Sequence, residues 1–69
     1  MPSQLPPARA IRLPQVCDLT GLSRATVWRF ARDDPQFPKP FRLSEAATVW
    51  DEPEILSWVQ TKRATRGHP

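Results

Sequence analysis

The segment Asp33–Pro40 most constrains how this chain folds, because its sequence, DDPQFPKP, holds three prolines. Proline lacks the backbone N–H that a helix interior requires, and it restricts the residue before it to extended backbone. Helices and strands must therefore lie on either side of this loop. Phe37, between the prolines, is predicted to anchor the loop to the core.

Before the loop, the stretch TGLSRATVWRF predicts a tight bend between two short helices. Gly21 suits the left-handed turn that ends a helix, and Ser23 suits the N-cap of the next helix. The first helix is predicted over Pro14–Leu19, with proline at its first position, where the missing N–H is harmless. The second helix is predicted from Arg24 to about Arg32.

The residues around the bend have the spacing of a helix-turn-helix unit. Cys17, four residues before Gly21, is small enough to let the helices approach, and Leu22 fills the corner just after the turn. Apolar residues at helical spacing then form one inward stripe on each helix. The predicted inward positions are Val16, Val27, Phe30 and Ala31.

After the loop, two short β-prone runs predict a hairpin. Phe41–Leu43 and Thr48–Trp50 are its predicted strands, with Ser44–Ala47 at the tip. Arg42 alternates with the apolar Phe41 and Leu43, so the strand pattern turns Arg42 outward and its neighbours inward.

A last helix is predicted to begin at Asp51, with Pro53 in its first turn and Glu54 in an acidic variant of the capping box. Large aromatic residues are expected in the core, because a domain this small needs them to bury enough area. The residues assigned to the core or to the helix stripe are Trp50, Ile55, Trp58, Val59 and, at the end of the stripe, Lys62.

The predicted fold is mostly α with a small β-hairpin: a winged helix-turn-helix, built from a helix-turn-helix, a two-stranded wing and a C-terminal helix. Residues 1–10 are predicted to form a disordered arm and residues 11–62 the folded domain, which opens with an extended lead-in over 11–13. Residues 63–69 are predicted to form a basic tail.

Composition argues against catalysis. The chain has 69 residues, which allows one small domain without a deep cleft. Its single cysteine, Cys17, reads as a small buried apolar residue, and its only histidine, His68, lies far along the chain. Helix capping explains the acidic run at Asp51–Glu54. We therefore expect no enzyme activity, no catalytic or metal-binding residue and no cofactor.

A wheel of the second predicted helix places a cationic surface opposite the apolar stripe. The outer residues are Ala25, Arg29 and Arg32 on the face, Trp28 and Thr26 on its two shoulders, and Arg24 beside Trp28. A small residue near the start lets such a helix sink into the major groove of DNA, where arginine can read guanine bidentately or hold a phosphate. With a net charge of +3, the pattern predicts a surface that binds duplex DNA.

Two of these side chains also have an interpretation within the protein. Arg32 can pair with Asp33 or Asp34 instead of DNA. Trp28 can pack as core on the loop around Phe37, which we favour over a DNA contact.

The predicted phosphate contacts have alternatives as well. Ser23 and Thr26 can donate to phosphate or cap the helix, and capping is the favoured role of Ser23. Lys39 and Arg42 can touch phosphate beside the groove or be ordinary surface charges, and Glu45 at the hairpin tip argues against deep insertion of the wing. Cations that would add non-specific attraction are Arg9, Arg12, Lys62, Arg63 and Arg66.

The stretches RLPQV, TGLSRATVWR, FPKPFRL and VWDEPEILSWV resemble the AlpA family of prophage regulatory proteins, which belong with excisionase-like and MerR-like winged-helix DNA binders. The resemblance covers Arg12 to about Val59. It implies that the helix over Ser23–Arg32 enters the major groove and that the hairpin lies along the adjacent minor groove or backbone. Family members often carry glycine and a basic residue at the hairpin tip, where this chain has SEAA.

We therefore expect a sequence-specific duplex DNA-binding regulator of transcription from a prophage or mobile element. Two alternatives stay open: an excisionase that assists an integrase, and a protein–protein adaptor with a basic face. The expected DNA-contacting residues are Ser23, Arg24, Ala25, Thr26, Trp28, Arg29, Arg32, Lys39 and Arg42.

The expected partners are double-stranded DNA, an integrase or RNA polymerase, and further copies of this chain that assemble cooperatively on DNA. No membrane association is expected, because no apolar run approaches the ~20 residues that span a bilayer. The opening MPSQLPPARA lacks the apolar core of a signal peptide, which predicts a cytoplasmic protein.

Overall fold

The computed structural model describes residues 9–66, which form mostly helices with a small three-stranded antiparallel sheet. The elements in chain order are β1 (Ala10–Ile11), α1 (Leu13–Thr20), α2 (Arg24–Asp33), β2 (Phe41–Ser44), β3 (Ala47–Asp51) and α3 (Glu52–Thr65). The sheet order is β1-β3-β2, so β3 is central. Most of the predicted arm, residues 1–8, and the end of the predicted tail, residues 67–69, lie outside the described residues.

The core draws on all three helices, on the proline loop and on the sheet. Phe37 is 1% exposed and confirms that the loop is anchored. Its ring packs edge-on against Trp58 and Phe30, with centroid distances of 4.9 Å and 5.9 Å. The buried cluster consists of Ile11, Val16, Val27, Ala31, Phe37, Trp50 and Ile55.

The first strand was not predicted. Instead of an extended lead-in over 11–13, β1 pairs antiparallel with the end of β3, and Leu13 already belongs to α1. Ile11 is 1% exposed, and the backbone N–H of Glu52 donates to the carbonyl oxygen of Arg9 at 2.8 Å. Burial and pairing with a distant segment therefore form this strand, so the predicted two-stranded wing is part of a three-stranded sheet.

The first two helices extend slightly beyond their predicted ends. α1 is one residue longer at each end than predicted. Its first turn is stabilised by the side chain of Gln15, which accepts a hydrogen bond from the backbone N–H of Arg12 at 2.8 Å. Pro14 lies in that first turn, where no donor is lost. α2 begins at Arg24 as predicted and ends at Asp33.

The hairpin has a tighter tip than predicted. Only Glu45 and Ala46 form the turn, while Ser44 and Ala47 pair with each other at the ends of the two strands. The register shifts between Arg42 and Ser44, which indicates a bulge in β2.

The prediction that Phe41 and Leu43 face inward is wrong. Phe41 is 45% exposed and Leu43 is 63% exposed, and β2 is exposed along its whole length. The physical reason is that β2 packs mainly on β3 and no helix of residues 9–66 packs closely over it, whereas Ala47 and Val49 of the central β3 occupy buried sites, at 7% and 2% exposure.

The start of α3 also corrects a prediction. Asp51 is at the N-cap position and Pro53 is in the first turn, but the Asp51 side chain makes no capping hydrogen bond. Asp51 is still paired with Ala10 in the sheet, because β3 runs directly into α3. α3 then continues to Thr65, so Arg63 of the predicted tail is helical.

Candidate nucleic-acid interface

A tight corner sets the direction of α2 relative to α1. Gly21 has φ 75°, a left-handed conformation, and its N–H donates to the Cys17 carbonyl oxygen at 2.7 Å. The Thr20 hydroxyl donates to the Val16 carbonyl oxygen at 2.7 Å and accepts from the N–H of Leu22 at 3.2 Å. These bonds use the backbone groups that a helix end leaves unpaired, so the corner is well defined. Cys17 packs against the core but is half-buried rather than buried as predicted.

The N-terminus of α2 is capped by side chains within the chain. Ser23 Oγ accepts the backbone N–H of Thr26 at 3.2 Å and lies 2.9 Å from Thr26 Oγ1, to which it donates. The predicted N-cap is therefore confirmed. Both hydroxyls are in use in the free protein, and a phosphate bound here would have to share or replace these bonds.

The two faces of α2 differ as the wheel predicts. Val27 and Ala31 are buried, at 0% and 7% exposure, and Phe30 is half-buried against the rings of Phe37 and Trp58. The outward residues Arg24, Ala25, Arg29 and Arg32 are all exposed.

Two of the arginines are free of the protein's own acids. Within residues 9–66, no carboxylate oxygen lies within 4.0 Å of the guanidinium nitrogens of Arg24 or Arg29. The Arg29 guanidinium instead lies 6.0 Å from the centroid of the Phe30 ring. Both charges are available to an anionic partner.

Arg32 is paired with its neighbour. Its Nε lies 3.0 Å from Asp33 Oδ1 and a terminal nitrogen lies 3.3 Å from Oδ2, a two-point contact at the surface. The hydrogen bond from Arg32 lowers the pKa of Asp33, and the positive charges of Arg29 and Lys39 lower it further. The same bond raises the pKa of Arg32. Of the two predicted roles of Arg32, the pair within the protein is the one formed in the free chain.

Trp28 packs on a different neighbour from the one predicted. Its indole lies against Trp50 of β3, with ring centroids 5.2 Å apart at 54°, while the Phe37 ring contacts Phe30 and Trp58 instead. The prediction that Trp28 packs as core around Phe37 is therefore wrong. The side chain is 43% exposed, because it covers the hairpin only with part of its ring.

Arg42 lies on the side of the sheet that faces α2. It is directly opposite Thr48, and residues opposite each other across a ladder share a face. Trp50, two residues after Thr48, is on the same face, and it carries the contact with Trp28. The hairpin thus places an exposed cation on the face of the sheet that contacts α2 through Trp50.

Lys39 has a role that the sequence did not suggest. Its ammonium group donates a hydrogen bond to the carbonyl oxygen of Ala31 in the last part of α2. A cation stabilises the C-terminal end of a helix, where carbonyl groups lack partners. A lysine a few residues after a predicted helix end is the signal that could have indicated this cap.

The described residues show neither a metal site nor a membrane span. Across positions 9–66, His, Cys, Asp and Glu side chains form no group of three or more that could hold a metal ion. None of the helices in that range is both long and apolar enough to cross a bilayer.

Comparison with known proteins gives the family. A family model described as prophage CP4-57 regulatory protein (AlpA) matches residues 9–63, from Arg9 to the last turns of α3. The chain belongs to the AlpA family. The matched AlpA region contains the corner, all of α2 and the hairpin, so every residue proposed for the interface lies within it.

Two curated relatives match this AlpA-family chain. DNA-binding transcriptional activator AlpA of Escherichia coli (strain K12) is 36% identical over 59 residues, which cover 78% of this chain and 84% of the relative. Uncharacterized protein ORF88 of Enterobacteria phage P4 is 33% identical over 58 residues, which cover 84% of this chain and 65% of that relative. The chain therefore spans slightly less than two thirds of the phage P4 protein. No solved structure gives a significant match.

Proposed function

We propose that this chain is a winged helix-turn-helix protein that binds duplex DNA with a sequence preference and regulates transcription of a prophage or mobile element. In this proposal α1, the Gly21 corner and α2 form the helix-turn-helix, and β2 with β3 form the wing. Bound to DNA, the protein acts in the cytoplasm.

The observation that carries the proposal is the pair of exposed, unpaired cations on α2. Arg29 lies opposite the buried Val27 and Ala31, and Arg24 lies on the flank beside Trp28 at the start of the helix. No carboxylate of residues 9–66 forms an ion pair with either arginine. The small Ala25 lies beside Arg29 on the outer face, so the helix is narrow enough there to enter a major groove. The name of the Escherichia coli relative, a DNA-binding transcriptional activator, supports the same conclusion.

The hairpin supplies a second set of contacts in this proposal. Arg42 lies on the face of the sheet that carries Trp50, so a duplex held by α2 would meet its guanidinium beside the groove. Arg32 reaches phosphate once it releases Asp33, and Ser23 and Thr26 lie at the end of α2 whose backbone N–H groups favour anions. Contacts of this kind position the helix and give affinity without reading sequence.

A single module of this size is expected to bury only ~600–1,000 Å² of protein surface on DNA. Useful affinity then requires several copies on neighbouring sites, or a bound partner protein. We propose a monomer in solution that assembles on DNA. Sedimentation without DNA checks this, and a tight dimer would contradict it.

The experiment that tests the proposal is a salt titration of binding to duplex DNA. Counterion release predicts that the logarithm of the binding constant falls linearly with the logarithm of salt concentration, with a slope near −0.9 per phosphate contacted. The double variant Arg24→Ala/Arg29→Ala should lose most of the affinity and give a shallower slope. The matched control, Arg63→Ala/Arg66→Ala, removes the same charge from α3 and its end and should lose much less.

A shallow salt dependence with equal losses for both double variants would contradict the proposal and favour the adaptor alternative. The regulatory output is tested with a reporter fused to the DNA upstream of the chain's own gene, after footprinting has located the bound sequence. An excision assay with the neighbouring integrase decides whether the same contact serves recombination.

A further inference from the structure

Trp28 is the large apolar residue on the exposed side of α2, with 43% of its surface accessible. Residues four apart in a helix are neighbours on its surface. Trp28 is therefore flanked in one row by Arg24 and Arg32, at the positions four before and four after it. The indole lies on one shoulder of the surface proposed to meet DNA.

The orientation of this indole is held by the protein. One part of the ring packs on Trp50, which is 0% exposed and whose Nε1–H donates to the Pro38 carbonyl oxygen at 3.2 Å. Trp28 therefore rests on a fixed partner and presents its remaining edge to solvent. Exposed apolar area of this kind is unfavourable until something apolar covers it.

Duplex DNA offers few apolar groups to a helix in the major groove. The C5-methyl group of thymine is the one that distinguishes a base pair there. Deoxyribose carbons along the backbone are the other apolar surface, and they are the same at every base pair. The indole lies on the shoulder of α2, and the outer face of this helix begins with the small Ala25. The helix can therefore enter the groove deeply enough for the indole to touch a base edge.

We propose that Trp28 packs against the C5-methyl group of a thymine in the major groove, so that the recognised sequence requires thymine at one position. This rests on the proposed function, since it needs α2 to lie in the groove. It adds a source of specificity that is apolar, distinct from the hydrogen bonds that arginine makes to bases.

The test starts from a duplex selected by the wild-type protein out of a random library. Each thymine of that duplex is then replaced singly by uracil, which keeps the pairing and removes only the methyl group. Losing one buried methyl corresponds to about fourfold in affinity. We expect a loss of that size at one position and near-unchanged binding at the others.

The protein side of the test uses Trp28→Ala, with Trp28→Phe as a variant that keeps an aromatic ring on Trp50. Circular dichroism verifies that each is folded. With Trp28→Ala, binding at the sensitive position should become the same for thymine and uracil, while Trp28→Phe should retain part of the difference.

Two results overturn the inference. If uracil is tolerated at every position while Trp28→Ala weakens binding to all duplexes equally, the indole contacts sugar and not a thymine methyl. If replacing thymine by uracil lowers the affinity of wild type and of Trp28→Ala by the same factor, another residue contacts the methyl group. Both results leave salt-dependent duplex binding in place, whereas its absence would overturn the proposed function as well.

Discussion

The indole Nε1–H of Trp50 donates to the carbonyl oxygen of Pro38 at 3.2 Å, which joins the central strand to the proline loop. Trp50 is fully buried, so its indole N–H has no access to water once the bond is broken. Trp50→Phe should destabilise the fold by about 1–3 kcal/mol, since it removes this hydrogen bond and part of a fully buried ring. Urea denaturation measures the change.

The matched control for this prediction is Trp28→Phe, the same substitution at a ring that is 43% exposed. Its loss of stability should be clearly smaller. Equal losses at both positions would mean that the bond to Pro38 contributes nothing beyond ring volume.

The Gly21 corner gives a prediction about backbone conformation alone. A Cβ atom added at Gly21 would have no atom within 4 Å, so alanine meets no steric clash from neighbours. The φ of 75° still costs a non-glycine residue about 1–2 kcal/mol. Gly21→Ala should lose that amount in a thermal or urea unfolding experiment, and Gly21→Asn should lose less, because asparagine tolerates this region. An alanine variant as stable as wild type would contradict the assigned conformation.

The Gly21 corner and the packing of Trp28 show what could be predicted from the sequence and why. The corner depends on local chemistry: a glycine, a capping serine and the helical spacing of Val27 and Ala31, all within a dozen residues. The partner of Trp28 depends on where a strand twenty-two positions later happens to pack. No local pattern carries that information, so the prediction assigned the wrong aromatic partner.

The sheet shows the same limit. The hairpin was predicted from its β-prone residues, but β1 has two residues and forms only because β3 is there to pair with it. The alternation rule also misassigned Phe41 and Leu43, because it assumes that a helix or a second sheet covers one face of each strand, whereas no helix in the described part of the chain packs closely over β2.

Arg29 and Arg66 should differ in how they affect binding. Arg29 is on the outer face of α2, so Arg29→Ala should reduce the binding preference for the selected sequence over random duplex by about 1–3 kcal/mol. Arg66 lies at the end of α3, so Arg66→Ala should lower the affinity slightly and by the same factor for every DNA sequence. Competition binding with selected and scrambled duplexes measures both. Equal loss of preference in the two variants would contradict these roles.

Asp33 should compete with the DNA phosphates for the guanidinium of Arg32. Replacing it by asparagine frees Arg32 for a phosphate, so affinity should rise about two- to fivefold on all sequences, the size of an exposed ion pair. The slope of the salt titration should become steeper by about 0.9. The control is Asp18→Asn on α1, which changes net charge equally but releases no arginine from an ion pair. An equal rise in both variants would mean that only net charge matters.

The titration of Asp33 gives a prediction about pH. Because the bond from Arg32, aided by Arg29 and Lys39, lowers the pKa of Asp33, its folded value should lie below the ordinary ~3.9. Any stability from this contact is then complete above the ordinary value and is lost as pH falls through the lowered one. Carboxyl NMR shifts across the acid range measure the pKa.

In Arg32→Ala the pKa of Asp33 should move back only part of the way, because Arg29 and Lys39 remain nearby. A complete return to the ordinary value would show that these two cations do not reach the carboxylate.

The short strand β1 also decides where fusions should be attached. Because β1 and β2 border opposite sides of β3, a tag or immobilising linker joined ahead of Arg9 departs from the sheet at the edge away from the outer hairpin strand. Such a fusion keeps Arg42 accessible. A truncation that removes Ile11 would instead remove the strand that pairs with this side of β3 and would expose the core to solvent.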